Sequence, residues 1–500
     1  MEKQEKQDNA NTNSVLSSFS TRNDESDTND NELTLHNNLE KIDKRIADQI
    51  SVNSETLEET TEDPKDPKHW PRKKKNYILF ITSLAGMIAP LSSTIFYPSV
   101  TNIERDLKTS QVLANGLIGV YVFFMGVAPL GWAAYSDAFH TRRNVYLASF
   151  TMYIIGCVIC GLSKNIWLLL VMRSLQACGS SAVLSIGAGT ISDVFYSLER
   201  GRAYGIFYLG PLIGPVIGPV IGGYVTDYLG WRWILWILTI IGGLTLALIF
   251  FSLPETFAHS NLPNPNNTTS NSRHHKGFSP ISPLRLLKYP NMSLIVTYIS
   301  IIFAVIYVQN TLAAPSFTNI YHVSESTIGL IFLSSGSGYL IGSFFGGKWS
   351  DYVLAESKKR NKGVGYPEMR INSVWFGCFI LSVSYICYGW FLKARLHIAF
   401  PITVMFTGGF GVITVFNSVS TYLVDAFPGR SASAIAVNNL MRSLAATLIT
   451  FISVPFENAV GTGLIYTIMI CISTIGVLCL VIVSRKGRYW RERIDNEINE

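Results

Sequence analysis

The sequence predicts an all-α membrane protein of twelve spanning helices, and three observations carry that prediction. Of the 500 residues, 48% are hydrophobic and only 15% charged, with a mean hydropathy of +0.28. Apolar runs near the ~20 residues needed to cross a ~30 Å hydrocarbon core recur about twelve times. Lys and Arg crowd alternate connections, about 24 on one set against about 6 on the other, so the positive-inside rule places both termini in the cytoplasm. The net charge of +6 is therefore an orientation signal, and no nucleic-acid partner is expected.

The expected spans are 76–98, 111–134, 145–162, 165–192, 203–226, 232–253, 291–313, 326–348, 372–392, 397–424, 431–455 and 461–483. They divide the chain into a cytoplasmic tail (1–75), a six-helix bundle (76–253), a cytoplasmic linker (254–290), a second six-helix bundle (291–483) and a basic cytoplasmic tail (484–500). The N-terminal tail is rich in Asn, Ser, Thr, Asp and Glu without periodicity and cannot bury enough apolar surface to fold. No apolar leader precedes the first span, which serves as its own signal, with Arg72, Lys73, Lys74 and Lys75 fixing its inner end.

The second span closes on Trp132-Ala-Ala-Tyr-Ser-Asp137, followed by Arg142 and Arg143 in a short turn, an arrangement suited to an ion-pair latch. The eighth span repeats it with Gly346-Gly-Lys-Trp-Ser-Asp351 and Lys358, Lys359, Arg360 and Lys362 beyond. Two such halves suggest two bundles rocking about a central site. In the fourth span, Arg173 lies ~12 Å below the outer end with Gln176 one turn away. An arginine at that depth is expected to face a cavity or a partner.

The fifth span holds the strongest pattern, Gly210-Pro-Leu-Ile-Gly-Pro-Val-Ile-Gly-Pro-Val-Ile-Gly-Gly223. Gly210, Gly214, Gly218 and Gly222 form a stripe without side chains down one helix face. Pro211, Pro215 and Pro219 each remove an N–H donor, so carbonyls freed one turn earlier need partners on neighbouring helices. Gly338, Gly342 and Gly346 make a second stripe in the eighth span, and the two stripes are expected to face each other between the halves.

Candidate cavity residues are the amides Gln309, Asn310, Asn417, Asn438 and Asn439 and a second deep cation, Arg442. All seven cysteines fall within spans, and the Cys157-x-x-Cys160 pair has no companion cluster, so they read as packing residues and no metal site, cofactor or disulfide is expected. The Asn266-Asn-Thr268 sequon lies in the cytoplasmic linker and is discounted. No nucleophile, metal cluster or carboxylate pair stands at a span boundary, which argues against an enzyme.

These motifs resemble the major facilitator superfamily, specifically the fungal twelve-span drug:proton antiporters, across 76–483. The glycine-proline stretch looks like that family's antiporter motif, Arg173 with Gln176 and Gly179 like its fourth-span coupling motif, and Asp137 with Arg142 and Arg143 like its cytoplasmic gating loop. The triple Gly-Pro form, Pro254-Glu-Thr256 and Tyr422-Leu-Val-Asp425 look closest to the quinidine-resistance and dityrosine-exporter branch. Ala133, Ala138 and Ala177 depart from the family pattern. The resemblance implies a monomeric antiporter exchanging protons for drugs, organic cations, polyamines or cell-wall precursors. Its expected seat is the plasma membrane, with the vacuolar or prospore membrane as alternatives. A facilitated uniporter and a nutrient importer share the fold. No Asp or Glu lies well inside a span, so proton coupling rests on the resemblance alone.

Overall fold

The computed structural model describes residues 67–257, 282–427 and 431–499, and the side chains of Asp137, Ser197, Leu198, Ser431, Ala432 and residues 492–499 lie outside the description. Twelve helices among the described residues are long and apolar enough to span a membrane. They are α1 (Arg72–Thr94), α2 (Gln111–Ala138), α3 (Arg143–Leu162), α4 (Ile166–Val194), α5 (Ser197–Leu229) and α6 (Arg232–Ser252) in the first half. The second half holds α7 (Pro290–Tyr321), α8 (Glu325–Arg360), α9 (Val374–Lys393), α10 (Ala399–Ala426), α11 (Ser431–Val460) and α12 (Thr462–Asn499). Residues 1–66 of the expected tail (1–75), the sequon and most of the linker fall outside the described residues.

Packing repeats between the halves. The pairs α2·α4, α3·α4, α3·α6 and α1·α5 of the first half reappear as α8·α10, α9·α10, α9·α12 and α7·α11 in the second. Across the halves, α5 packs on α8 and α2 on α11. Helices satisfy most backbone groups within their own segment, as lipid requires, and the Phe207 carbonyl freed by Pro211 takes its donor from a neighbouring helix.

Several helices outrun the expected spans. Helix α8 continues to Arg360, so Asp351 and the basic run Lys358–Arg360 are helical rather than a connection. Cations in a last helical turn complement the helix dipole, which extends the helix into solvent. Helix α12 runs 38 residues through what composition suggested was a separate tail. Its extension docks on the second half: the Arg491 guanidinium lies 3.2 Å from the Glu368 carboxylate, which is buried in the turn before α9. At the other terminus the helix already begins at Arg72, and Lys75 is buried with its ammonium 4.8 Å from the Tyr196 ring. A short amphipathic helix, Val100–Asp106, follows α1; Asp106 accepts hydrogen bonds from Arg232 at 2.5 Å and from the Trp231 indole at 3.0 Å. Those two partners, Arg232 foremost, hold the Asp106 carboxyl below its ordinary value.

The glycine-proline helix stays continuous over 33 residues. Its stripe, however, does not face α8. A side chain at Gly214 would lie 2.8 Å from the Leu91 amide nitrogen and 3.0 Å from the Met87 carbonyl, and Gly210, Gly218 and Gly222 likewise abut Ser83, Thr94 and Ile95 of the α1 chain. The stripe is thus a backbone-to-backbone seam inside the first half. The second stripe turns to α10: Gly342 lies against the Phe410 backbone and Gly346 against Thr414, with Gly338 against the Phe406 carbonyl. The α5–α8 crossing does exist, but other glycines form it. Gly223 meets the Glu325 carbonyl, Gly329 meets the Pro219 carbonyl, and a Cβ at Gly336 would lie 3.0 Å from the Val216 Cα. A four-residue repeat identifies a face that admits close approach, but two such faces need not be partners.

Candidate substrate path and coupling residues

Arg173 on α4 is completely buried. Its guanidinium carbon sits 4.3 Å from the Phe96 ring and 4.2 Å from the Tyr121 ring, a cation-π clamp supplied by the end of the first span and by α2. It donates to Gln176 Oε1 at 2.6 Å and to the Ser92 carbonyl at 3.1 Å. Gln176 in turn donates to Cys157 Sγ at 2.9 Å, and the Ser92 and Tyr153 hydroxyls bond at 2.8 Å. Of the two expected settings, cavity or partner, Arg173 has the second: it faces protein partners, and the first span, α2 and α4 seal it from solvent. Phe96 and Tyr121 come from distant segments, which is why periodicity around Arg173 could not reveal the clamp.

Arg442 on α11 has a different setting. Its guanidinium carbon lies 4.6 Å from the Phe303 ring on α7 and 5.2 Å from the Phe416 ring on α10, and the residue is only partly buried. Its charge is felt at Tyr307 and Tyr208. Tyr307 neighbours Tyr97 and Ser93 of the first span, and Asn310 donates to the Tyr97 hydroxyl at 3.4 Å. The Tyr97 ring stacks on Phe332 of α8 with centroids 5.4 Å apart. Residues from both halves thus converge on an aromatic, hydroxyl-bearing wall beside one arginine.

Beyond that wall the halves meet. The Asp227 carboxylate near the end of α5 accepts from the Ser326 amide at 3.1 Å and from its hydroxyl at 2.5 Å, at the first turn of α8. Along α2 and α11, Thr447 donates to the Gly119 carbonyl at 3.0 Å, and Gly126 lies against Ser443 and the Asn439 carbonyl. All these contacts lie between mid-helix and the end opposite the basic connections, so the bundle is closed at that end.

At the basic end each half carries its own charged lock. In the first, Arg142 Nε sits 3.1 Å from Asp193 Oδ2, and its Nη1 donates to Ser136 at 2.8 Å. The Arg143 guanidinium donates to the Phe250 carbonyl at 2.7 Å. Glu255 caps the start of α3, accepting from the Thr141 hydroxyl at 2.7 Å and from the Arg142, Arg143, Thr256 and Phe257 amides. Partial burial pushes the Glu255 carboxyl up, but these bonds, led by Thr141, hold it below the ordinary range. In the second half, Arg370 bridges Asp351 at 2.8 Å and Asp425 at 2.6 Å. Asp351 thus pairs with Arg370 rather than with the downstream lysines, and the expected partnership of Asp137 lies outside the described side chains.

The Major Facilitator Superfamily profile matches residues 82–450. The chain belongs to the major facilitator superfamily. It is 33% identical to Citrate exporter 1 of Aspergillus niger over 88% of this chain and 91% of that protein. It is 26% identical to the MFS antiporter QDR3 of Candida albicans, covering 86% and 80% respectively. Among solved structures, a D-xylose-proton symporter superposes with a TM-score of 0.62 at 14% identity, covering 81% of this chain and 96% of that one. A bacterial homologue of the lysosomal transporter Spinster, in an inward-facing and unoccupied conformation, gives 0.59 at 15%, covering 84% and 97%. At those identities the structural likeness speaks to fold alone. The chain is accordingly a multi-pass membrane transporter of small molecules and not an enzyme.

Within this major facilitator architecture the amides expected to line the path divide. Gln309 and Asn310 are buried near the convergence of the halves. Asn417 instead donates to the Ser343 carbonyl at 3.0 Å, joining α10 to α8. Asn438 is buried with its Oδ1 unpaired among the described residues, and Asn439 packs its backbone on α2. Sequence reasoning missed Phe303, Phe416, Tyr97 and Tyr307, whose aromatic character is unremarkable inside apolar spans. It also missed Arg370, hidden in a connection that reads as ordinary positive-inside charge.

Proposed function

We propose that this chain exports a small organic molecule in exchange for protons by alternating access. The observation that carries the reading is the division of seams. Backbone-tight glycine contacts hold α1 to α5 within one half and α8 to α10 within the other. The main contacts between halves run along α5–α8 and α2–α11, with a smaller one between the Val100–Asp106 helix and α7. Rigid halves with two opposed contact lines suit rocking about a central site. Relatives described as an antiporter and as an exporter support the direction. In this reading the bundles are 76–253 and 291–483, the termini are cytoplasmic, and the membrane is the plasma membrane. Arg173 with Gln176 is the coupling element, and the Arg142 and Arg370 locks break as the basic end closes and reopens.

The test is transport by the purified protein in vesicles holding a pH-sensitive dye. Fractions of medium that accumulate in overexpressing but not in deletion strains are supplied as substrate. Proton movement opposite to substrate supports exchange. Substrate flux without it identifies a uniporter, and flux in the same direction identifies an importer.

A further inference from the structure

Two arginines lie deep in this bundle, and their surroundings differ in one decisive respect. Arg173 is sealed and hydrogen-bonded by Gln176 and a backbone carbonyl. Arg442 is partly exposed and makes neither a hydrogen bond nor an ion pair with any described residue; aromatic rings alone hold it. A guanidinium carries five N–H donors in a planar fork. Two cation-π contacts position it but satisfy none of those donors. A charge kept at mid-membrane depth without a counter-ion is costly, and such residues mark substrate or ion paths. Among the described residues no Asp or Glu pairs with it; Asp351 and Asp425 pair with Arg370, and Asp193 with Arg142.

We propose that Arg442 is the anchor for an anionic group, of carboxylate type, on the transported molecule, with Phe303 and Phe416 holding the fork toward it. This inference rests on the export reading and names its substrate class. A planar carboxylate accepts two parallel N–H bonds from guanidinium, a match that an ammonium cannot reproduce. Weak screening among the aromatic rings around Arg442 strengthens that pair. The exposed Tyr208, whose hydroxyl lies within reach of the Arg442 charge, adds a hydroxyl for the polar remainder of the molecule and a ring face for its apolar part. The same wall disfavours the organic cations and polyamines that family resemblance implies, because a cation there would meet Arg442 as a like charge and find no carboxylate.

The experiment is equilibrium binding to the purified full chain in neutral-lipid nanodiscs, with no gradient, using benzoate and phthalate as anionic probes and tetraphenylphosphonium as the cationic one. The anions should bind and raise the melting temperature, and the phosphonium should not compete. Arg442→Gln should weaken anion binding roughly 10- to 100-fold, the range for losing a charge-assisted pair. Arg442→Lys should retain part of the affinity. Phe303→Leu, which leaves the charge but loosens its clamp, should give an intermediate loss. Without ligand, Arg442→Gln should melt no lower than the parent, since an uncompensated charge has been removed. Unchanged anion affinity in Arg442→Gln, phosphonium binding that outcompetes the anions, or failure of Arg442→Gln to fold would each overturn the proposal. Because no flux is measured, loss of binding leaves proton-coupled export standing. Intact anion binding without exchange in vesicles would instead remove the export reading.

Discussion

The hydroxyl of Ser83 on α1 lies 3.2 Å from the carbonyl oxygen of Phe207 on α5, the oxygen that would otherwise accept from residue 211, which is proline. Pro211 has no N–H to give, and lipid has none either, so a neighbouring helix supplies the donor. The same hydroxyl is 3.2 Å from the Ile206 carbonyl. A proline on one helix is thereby coupled to a serine on another.

That coupling is measurable. Ser83→Ala should lower stability by about 1 to 2 kcal/mol, the cost of an orphaned buried carbonyl. In a Pro211→Ala background, where the helix again supplies its own N–H, Ser83→Ala should cost markedly less. A thermal-unfolding double-mutant cycle checks this, and additive effects would refute it.

The seams predict opposite phenotypes for two glycine substitutions. Gly214→Leu drives a side chain into the α1 backbone and should prevent assembly of the first half, read as loss of monodisperse protein. Gly329→Leu touches only the contact between halves, so the protein should fold and lose transport. Cysteines at 223 and 329 should cross-link on oxidation, since a side-chain Cβ at 223 would lie 3.1 Å from the Gly329 Cα, and the cross-link should stop transport until it is reduced. Cysteines at 214 and 342, which face α1 and α10, should not cross-link.

For Arg173 the two replacements should separate packing from charge. Arg173→Ala leaves a void between Phe96 and Tyr121 and should cost about 2 to 4 kcal/mol. Arg173→Met fills much of that volume without charge and should be near neutral for stability. Both should abolish coupled transport. Proton exchange by the Met variant at the parental rate would make Arg173 purely structural.

Glu255 sets a pH dependence. Its carboxyl is held below the ordinary value of about 4.3, so its contribution is present above that pH and disappears as pH falls through the lowered value of the folded state. Because the group is exposed, the effect should be small, about 1 kcal/mol or less. Melting curves from pH 7 down to about 3 should show the acid side of the stability profile flattening in Glu255→Gln. An unchanged profile would show that the cap carries no stability.

Much of this architecture is legible in the sequence because lipid is a strict solvent: uninterrupted apolar length and the alternation of Lys and Arg suffice to place twelve spans. Partnership is harder. The stripe at Gly210, Gly214, Gly218 and Gly222 identifies a close-packing face, yet α1 answers with a single glycine, Gly86 against Phe207 and Pro211, because its own backbone, at Ser83, Met87 and Leu91, is what enters the groove. Likewise Arg173 and Arg442 look alike along the chain. Whether a cation is sealed or left open depends on which rings and carbonyls other helices bring, as Phe96 and Ser92 do for the first and Phe303 and Phe416 for the second.

The long α12 also acts as a phase gauge. Its docking residue Arg491 is the 30th residue of Thr462–Asn499, and each residue turns a helix by ~100°. Inserting or deleting a single alanine near Ser484, past the hydrocarbon, would leave the span's length almost untouched but swing Arg491 a quarter-turn or more away from Glu368. A change of three or four residues would bring it nearly back into register. The terminal helix is therefore tied to the bundle through angular position, so changes in its length should matter in a helical rhythm rather than in proportion to their size.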